Sequence, residues 1–273
     1  MKKTVKIRNI TLGDGMPKIC VPIVAADEKE LADQLSLLAN APHDLVEFRA
    51  DAFAGITDES ILKKVLQQMR EKIKDTPLLF TYRTPKEGGR ETADSNTAER
   101  GPDAGGQAYL LLNKAAAETG LVDLVDVEYY TLAGAEPSGQ MRSCIRELQE
   151  MGVKVVGSSH DFAGTPPEEE MIRTLTAMQE LGVDVTKLAV MPHSRQDVVR
   201  LIRAAVLMEE QYADRPCVTM SMGQIGMITR MIGCFSGSAI TFAAAGKSSA
   251  PGQISAVEMA RILAEMQGAA AGF

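Results

Sequence analysis

Short apolar runs alternate with longer amphipathic stretches along nearly the whole chain. From Lys18 onward, 18–25 (KICVPIVA), 45–51 (LVEFRAD), 78–84 (LLFTYRT), 124–129 (LVDVEY), 154–161 (KVVGSSHD), 185–192 (VTKLAVMP), 217–223 (CVTMSMG) and 239–245 (AITFAAA) read as strands. Each is rich in β-branched and other apolar residues and ends near turn residues. Helical periodicity occupies 27–40, 57–73, 103–119, 138–151, 167–182, 195–211, a shorter 226–234, and 255–267 after the last strand. Eight strand-then-helix units in a chain of this length predict an α/β fold whose parallel sheet closes into a (β/α)8, or TIM, barrel. The even spacing, and the lack of a glycine-rich dinucleotide loop after the first strand, favour closure over a doubly wound open sheet. Residues 1–17 read as two short strands around a turn. Their Val5, Ile7 and Ile10 need cover, which predicts a hairpin closing the bottom of the barrel. One domain, 1–273, accommodates all of this.

Polar residues interrupt the apolar pattern in a regular way. Side chains alternate across a strand, so one face of each barrel strand fills the interior and the other meets the helices. Glu47, Arg49 and Asp51 share a face, opposite Val46, Phe48 and Ala50. The same parity pairs Thr81 with Arg83, Asp126 with Glu128, Ser158 with His160, and Lys187 with Ala189 and Met191. Aimed inward, these place Glu, Arg, His and Lys at one site, near the C-terminal strand ends where barrels of this kind carry their chemistry. Lys187 is the most informative of them. Desolvation within a strand disfavours the ammonium form, and a shielded amine is the nucleophile of Schiff-base catalysis. Singly, each residue has a plainer explanation. Lys187 could pair with an inward carboxylate such as Glu128, His160 could be a hydrogen-bonded core histidine, Glu47 and Arg49 could form a buried pair, and Asp51 could cap a helix.

Two loops add to the pattern. TPKEGGRETADSN follows the third strand with Glu87 near its start, and 246–254, with Ser249 and Gln253, has the composition of a lid. Neither fits a phosphate-binding loop. The net charge of −7 argues against nucleic acid or an anionic membrane as partner. Cys20, Cys144, Cys217 and Cys234 show no CxxC spacing and read as buried, reduced thiols of a cytoplasmic protein. His43 and His193 have no ligand-spaced carboxylate or cysteine, so no metal site is expected. No segment approaches membrane-spanning length.

EFRAD (47–51), TYRTPKEGG (81–89), SSHDF (158–162), KLAVMP (187–192), SMGQIGMITR (221–230) and SAPGQ (249–253) together resemble the type I 3-dehydroquinate dehydratases, in family order and over nearly the whole chain. The resemblance implies a hydro-lyase acting on 3-dehydroquinate, with Lys187 as the Schiff-base lysine and His160 as general acid and base. Glu87 is implied to orient His160, and Arg230 to clamp the substrate carboxylate with Gln253 assisting from the lid. Glu47, Arg49, Arg83 and Ser249 are implied to hold ring hydroxyls and complete a polar wall. It also implies a homodimer and no metal, nicotinamide or pyridoxal cofactor. Two stretches depart from the family pattern, MIGCFSGS (231–238) and Gln224, where lysine is more usual. A class I aldolase-like barrel would use the same lysine but generally handles phosphorylated sugars, for which the loops lack a nest. A non-catalytic metabolite sensor would need neither the amine nor the proton shuttle.

Overall fold

The computed structural model describes residues 4–90, 102–132, 139–246 and 253–270. Strands β1 (Val5–Ile7) and β2 (Ile10–Leu12) form an antiparallel hairpin, with Val5 opposite Leu12. The chain then runs β3 (Lys18–Ile23), α1 (Glu28–Leu38), β4 (Leu45–Arg49), α2 (Glu59–Ile73), β5 (Leu78–Thr81), α3 (Pro102–Glu118), β6 (Leu124–Glu128), α4 (Tyr129–Leu132) and α5 (Gly139–Glu150). It continues with β7 (Lys154–Asp161), α6 (Glu168–Leu181), β8 (Val185–Val190), α7 (Arg195–Leu207), β9 (Cys217–Ser221), α8 (Ile228–Met231), α9 (Gly233–Ser236), β10 (Ile240–Phe242) and α10 (Ala256–Ala270). Strands β3 to β10 are parallel and neighbour one another in chain order, with β10 returning to β3. A bridge between Cys217 and Ser238, with the Ala239 N–H donating to the Cys217 carbonyl at 2.8 Å, closes the ring between β9 and β10. This is the (β/α)8 barrel that the alternation predicts.

The strand pleat sorts the side chains. Cys20, Leu45, Leu79, Leu124, Val156, Val185, Val218 and Ile240 point inward near the strand starts and form one buried layer. Val5, Ile7, Ile10 and Leu12 of the hairpin join that layer, so β1 and β2 plug the lower mouth. Residues of opposite parity, such as Val46, Phe48, Phe80, Val125 and Val190, pack outward under the helices. Helix starts follow local chemistry. Asp27 and Asp58 accept first-turn N–H groups of α1 and α2, and Ser194 and Asp197 form a reciprocal cap on α7.

At the bottom of the barrel one clasp recurs on alternate strand pairs. Asp44, Asp123 and Asp184, each immediately before a strand, donate their own N–H to the carbonyls of Ile19, Leu78 and Val155. Their Oδ2 atoms accept the N–H groups of those same residues at 2.7, 2.8 and 2.9 Å. Each aspartate thereby satisfies a backbone donor that the start of a parallel ladder leaves unpaired. Asp123 also receives Arg70 at 2.7 Å and Arg8, from the hairpin turn, at 2.5 Å. Asp123→Ala is therefore expected to lower stability by about 2–3 kcal/mol through loss of a largely buried network. A urea unfolding curve measures this, and a loss of under about 0.5 kcal/mol would contradict the clasp.

The elements differ from the sequence reading mainly at their ends. Strand β4 stops at Arg49 because 50–52 turn into a 3-10 helix, and β5 stops at Thr81. The helix expected at 195–211 ends at Leu207 and widens into a π turn over Met208–Tyr212. The one expected at 226–234 is two four-residue helices. Gly233, which opens the second, sits so close to Pro17 and the Ser238 carbonyl that a Cβ would lie 2.9 and 3.2 Å from them. Three cysteines are buried as expected, but Cys234 is exposed. It lies on α9, too short a helix to cover all its own side chains. Among the described residues, no helix is long and apolar enough to cross a membrane.

Candidate active site

Above the apolar floor the inward-facing positions turn polar. Lys187 projects from the middle of β8 and is 4% exposed. Its Nζ lies 3.4 Å from Asp126 Oδ2 and 3.6 Å from Glu47 Oε1, and 4.8 Å from the centre of the Phe242 ring. The carboxylates that face the amine are thus Asp126 and Glu47. Glu128 instead accepts from the Thr84 N–H and hydroxyl and from Arg83. Glu47 is fixed by the Thr81 hydroxyl, which donates to Oε1 at 2.9 Å.

Arg83 lies two residues beyond the end of β5 yet is buried inside the site. Its Nη2 sits 2.9 Å from Asp126 Oδ2, and its Nη1 donates to Glu128 Oε1 and Ser158 Oγ, each at 3.0 Å. A guanidinium can serve three partners at once because its five N–H groups are splayed in one plane. Burial works against this charge, but Asp126 and Glu128 outweigh it and raise the Arg83 pKa. Arg49, half-buried at the end of β4, is held by Asp51 in a two-point bond of 2.8 and 2.9 Å. Asp51 is not a helix cap. Its oxygens also accept the backbone N–H groups of Arg83 and Arg90, tying the loop after β5 to β4.

His160, on β7, faces Glu87 from the 3-10 turn 85–87. Its Nδ1 is 2.9 Å from Glu87 Oε2, which also accepts the His160 N–H at 3.1 Å. Gly88 permits this approach. It has φ of +83°, and a Cβ there would strike the Phe162 ring, which stacks beside His160. Burial pushes the Glu87 carboxyl up to about 8, reinforced by Glu128. Burial, then the cations Arg83, Lys187 and Arg49, pull His160 well below its ordinary value. The two shifts converge on one shared proton for the pair at neutral pH.

Arg230, on α8, completes the site differently. It is 5% exposed, its Nε has no hydrogen-bond partner, and its Nη1 reaches only the Met220 sulfur at 3.4 Å. Desolvation alone draws its pKa down to about 10. A buried guanidinium with no carboxylate bridge among the described residues has the donors and charge to receive an anion.

The structure thus brings together Glu47, Arg83, Glu87, His160 and Lys187, with Arg49 at the rim and Arg230 on the adjoining wall. Gln253 is half-buried at the start of the segment leading to α10. Ser249, the lid residues 247–252 and the loop residues 91–101 lie outside the described residues. Asp126 was legible as inward-facing but carried no role, and Phe242 carried no signal at all. Among the described residues there is no cluster of three His, Cys, Asp or Glu arranged to hold a metal ion.

Comparison with known proteins shows the family of the chain. The family model described as type I 3-dehydroquinase matches residues 19–270. A 3-dehydroquinate dehydratase of Bacillus licheniformis is 42% identical over 263 residues, covering 96% of this chain and 97% of that protein. One from Syntrophotalea carbinolica is 44% identical over 265 residues, covering 95% and 96%. Among solved structures, the type I 3-dehydroquinate dehydratase of Clostridium difficile, covalently modified by comenic acid, superposes with a TM-score of 0.88 at 41% identity, covering 98% and 100%. The Geobacillus kaustophilus 3-dehydroquinate dehydratase gives 0.87 at 32%, covering 97% of each chain. With an inward lysine, a histidine–glutamate pair and a family match over almost its full length, the chain belongs to the type I 3-dehydroquinases.

Proposed function

We propose that this protein removes water from 3-dehydroquinate by syn elimination, through an imine on Lys187, to give 3-dehydroshikimate. The observation that carries the reading is a buried amine, a histidine–glutamate pair 2.9 Å apart and, among the described residues, a buried guanidinium without a carboxylate bridge, around one barrel mouth. His160 takes the ammonium proton of Lys187 and the freed amine adds to the C3 ketone; the two protons the nitrogen sheds pass through His160 to the oxygen, and the carbinolamine loses water to leave an iminium. His160 Nε2 then takes a C2 proton, and the C–H electron pair flows into the iminium to form an enamine. The enamine expels the C1 hydroxyl as His160 returns the proton to it. One group serving both steps acts on one face, hence the syn course. Water hydrolyses the product imine and restores the amine. Glu87 sets the orientation and proton content of His160, and Arg230 holds the carboxylate with Gln253. Glu47, Arg49, Arg83 and Ser249 form the polar wall against the ring hydroxyls.

The test is intact-protein mass after incubation with 3-dehydroquinate and borohydride, then peptide mapping. The expected result is one reduced adduct on the peptide containing Lys187. No adduct, with folded protein and intact ligand, would remove the imine mechanism.

Arg230→Leu is expected to raise KM by roughly 10²–10³-fold, because a buried charge pair with the substrate is lost, while kcat changes far less. The same substitution should leave the protein at least as stable, since it removes a desolvated cation that has no carboxylate bridge among the described residues. A urea midpoint lower than that of the parent would contradict this.

We also place the protein in the cytoplasm as a homodimer of one-domain chains. Four unbridged cysteines support the compartment, and exposed Val199, Ile228 and Phe235 on neighbouring outer helices support the self-association.

A further inference from the structure

Asp126 has no part in the steps above, yet it is the least exposed carboxylate beside the amine. It comes from β6, Ser158 from β7 and Lys187 from β8, and the registers set Glu128 beside Ser158 and Ser158 beside Lys187. All three side chains therefore project inward from consecutive strands. Asp126 is held through both oxygens. Ser158 Oγ donates to Oδ1 at 2.6 Å, and Arg83 Nη2 lies 2.9 Å from Oδ2. Arg83 Nη1 also donates to Ser158 Oγ, so the three side chains form a closed, buried triangle. Glu47, the other carboxylate near the amine, lies farther away at 3.6 Å.

We propose that Asp126 is the positioning residue for Lys187: an anion fixed by Ser158 and Arg83 that aims the amine at the substrate ketone and offsets the iminium charge. This rests on the Schiff-base reading above. As the nitrogen bonds to C3 and the carbinolamine loses water, the nitrogen carries a positive charge again. Asp126 meets that charge from a preset place, with no reorganisation and no proton transfer of its own. Burial pushes its carboxyl upward, but Arg83, Lys187 and the Ser158 bond outweigh burial and hold it below the usual carboxylate range. It therefore remains an anion and is not the acceptor of the ammonium proton. The triangle also links the nucleophile to the histidine pair, since Arg83 Nη1 lies 3.6 Å from Glu87 Oε2.

The experiment follows the rate of borohydride-trappable adduct formation at saturating 3-dehydroquinate in Asp126→Asn, together with kcat and KM. The isosteric amide keeps volume and removes charge. Trapping and kcat are expected to fall roughly 10–100-fold, the scale seen when an orienting partner is lost, with KM within about 3-fold of the parent. Ser158→Ala, which loosens the triangle but keeps the charge, should slow trapping by roughly 3–10-fold. Parental trapping rates in Asp126→Asn would overturn the proposal, as would a loss confined to KM, which would make Asp126 a substrate contact. Should Asp126→Asn not fold, a parental trapping rate in Ser158→Ala overturns it instead. Failure of the parent protein itself to be trapped would strike the Schiff-base reading, not this assignment.

Discussion

Lys187→Ala is expected to lower turnover of 3-dehydroquinate by roughly 10⁴-fold or more, since on the proposed mechanism it removes the covalent nucleophile and with it the reaction path. Borohydride should then give no adduct. Binding is expected to survive within about 10-fold, because on the proposed roles Arg230 and the polar wall supply uniform binding that does not depend on the imine. The substitution leaves Asp126 and Glu47 facing a cavity without the ammonium between them, so some loss of stability accompanies it. Lys187→Met, which keeps volume, controls for the cavity. Appreciable turnover by either variant would sink the nucleophile assignment.

The second large effect concerns the histidine pair. His160→Ala should reduce kcat by roughly 10²–10⁴-fold, the usual contribution of a positioned acid–base group. The pH dependence follows from the proton count. At neutral pH the pair holds one shared proton. The working base needs Nε2 free, with Nδ1–H donated to an ionised Glu87, and that state has lost the shared proton. Since burial places the Glu87 carboxyl at about 8, kcat/KM should rise with pH on a limb near that value. Glu87→Gln cannot titrate there. Its limb is expected to move to lower pH, toward the depressed range of His160. An unmoved limb, or one moved to higher pH, would show that the limb belongs to another group.

The sequence made the barrel legible because each strand needed two kinds of face, and the inward polar residues stood out against apolar neighbours. Strand parity placed Glu47, Arg83, Asp126, Ser158, His160 and Lys187 together without any distance being known. The partners were less legible. Parity cannot say that Lys187 meets Asp126 and Glu47 while Glu128 serves Arg83, because that depends on stagger between strands. The buried state of Arg83 was equally hidden, since it lies past the last paired residue of β5 and is drawn inward by three carboxylates. Cys234 was misjudged because an apolar neighbourhood in sequence, GCF, lands on a helix of one turn. Phe242 carried no signal in the sequence, because only its height in the barrel puts its ring against the amine.

The aspartate clasps have a consequence for how the site moves. They join β3 to β4, β5 to β6 and β7 to β8, pinning three of the barrel's strand pairs at their lower ends by a side chain as well as by the ladder. The pair β9 and β10 has Ala239 where the others carry the aspartate. Those two strands meet in the bridge between Cys217 and Ser238, and Ser238 Oγ accepts the N–H of Thr219, two residues beyond the position a clasp would hold, at 3.2 Å. The ring should open first at that seam, and the mouth would widen on the side that carries Arg230 while the strands of Lys187 and His160 stay paired.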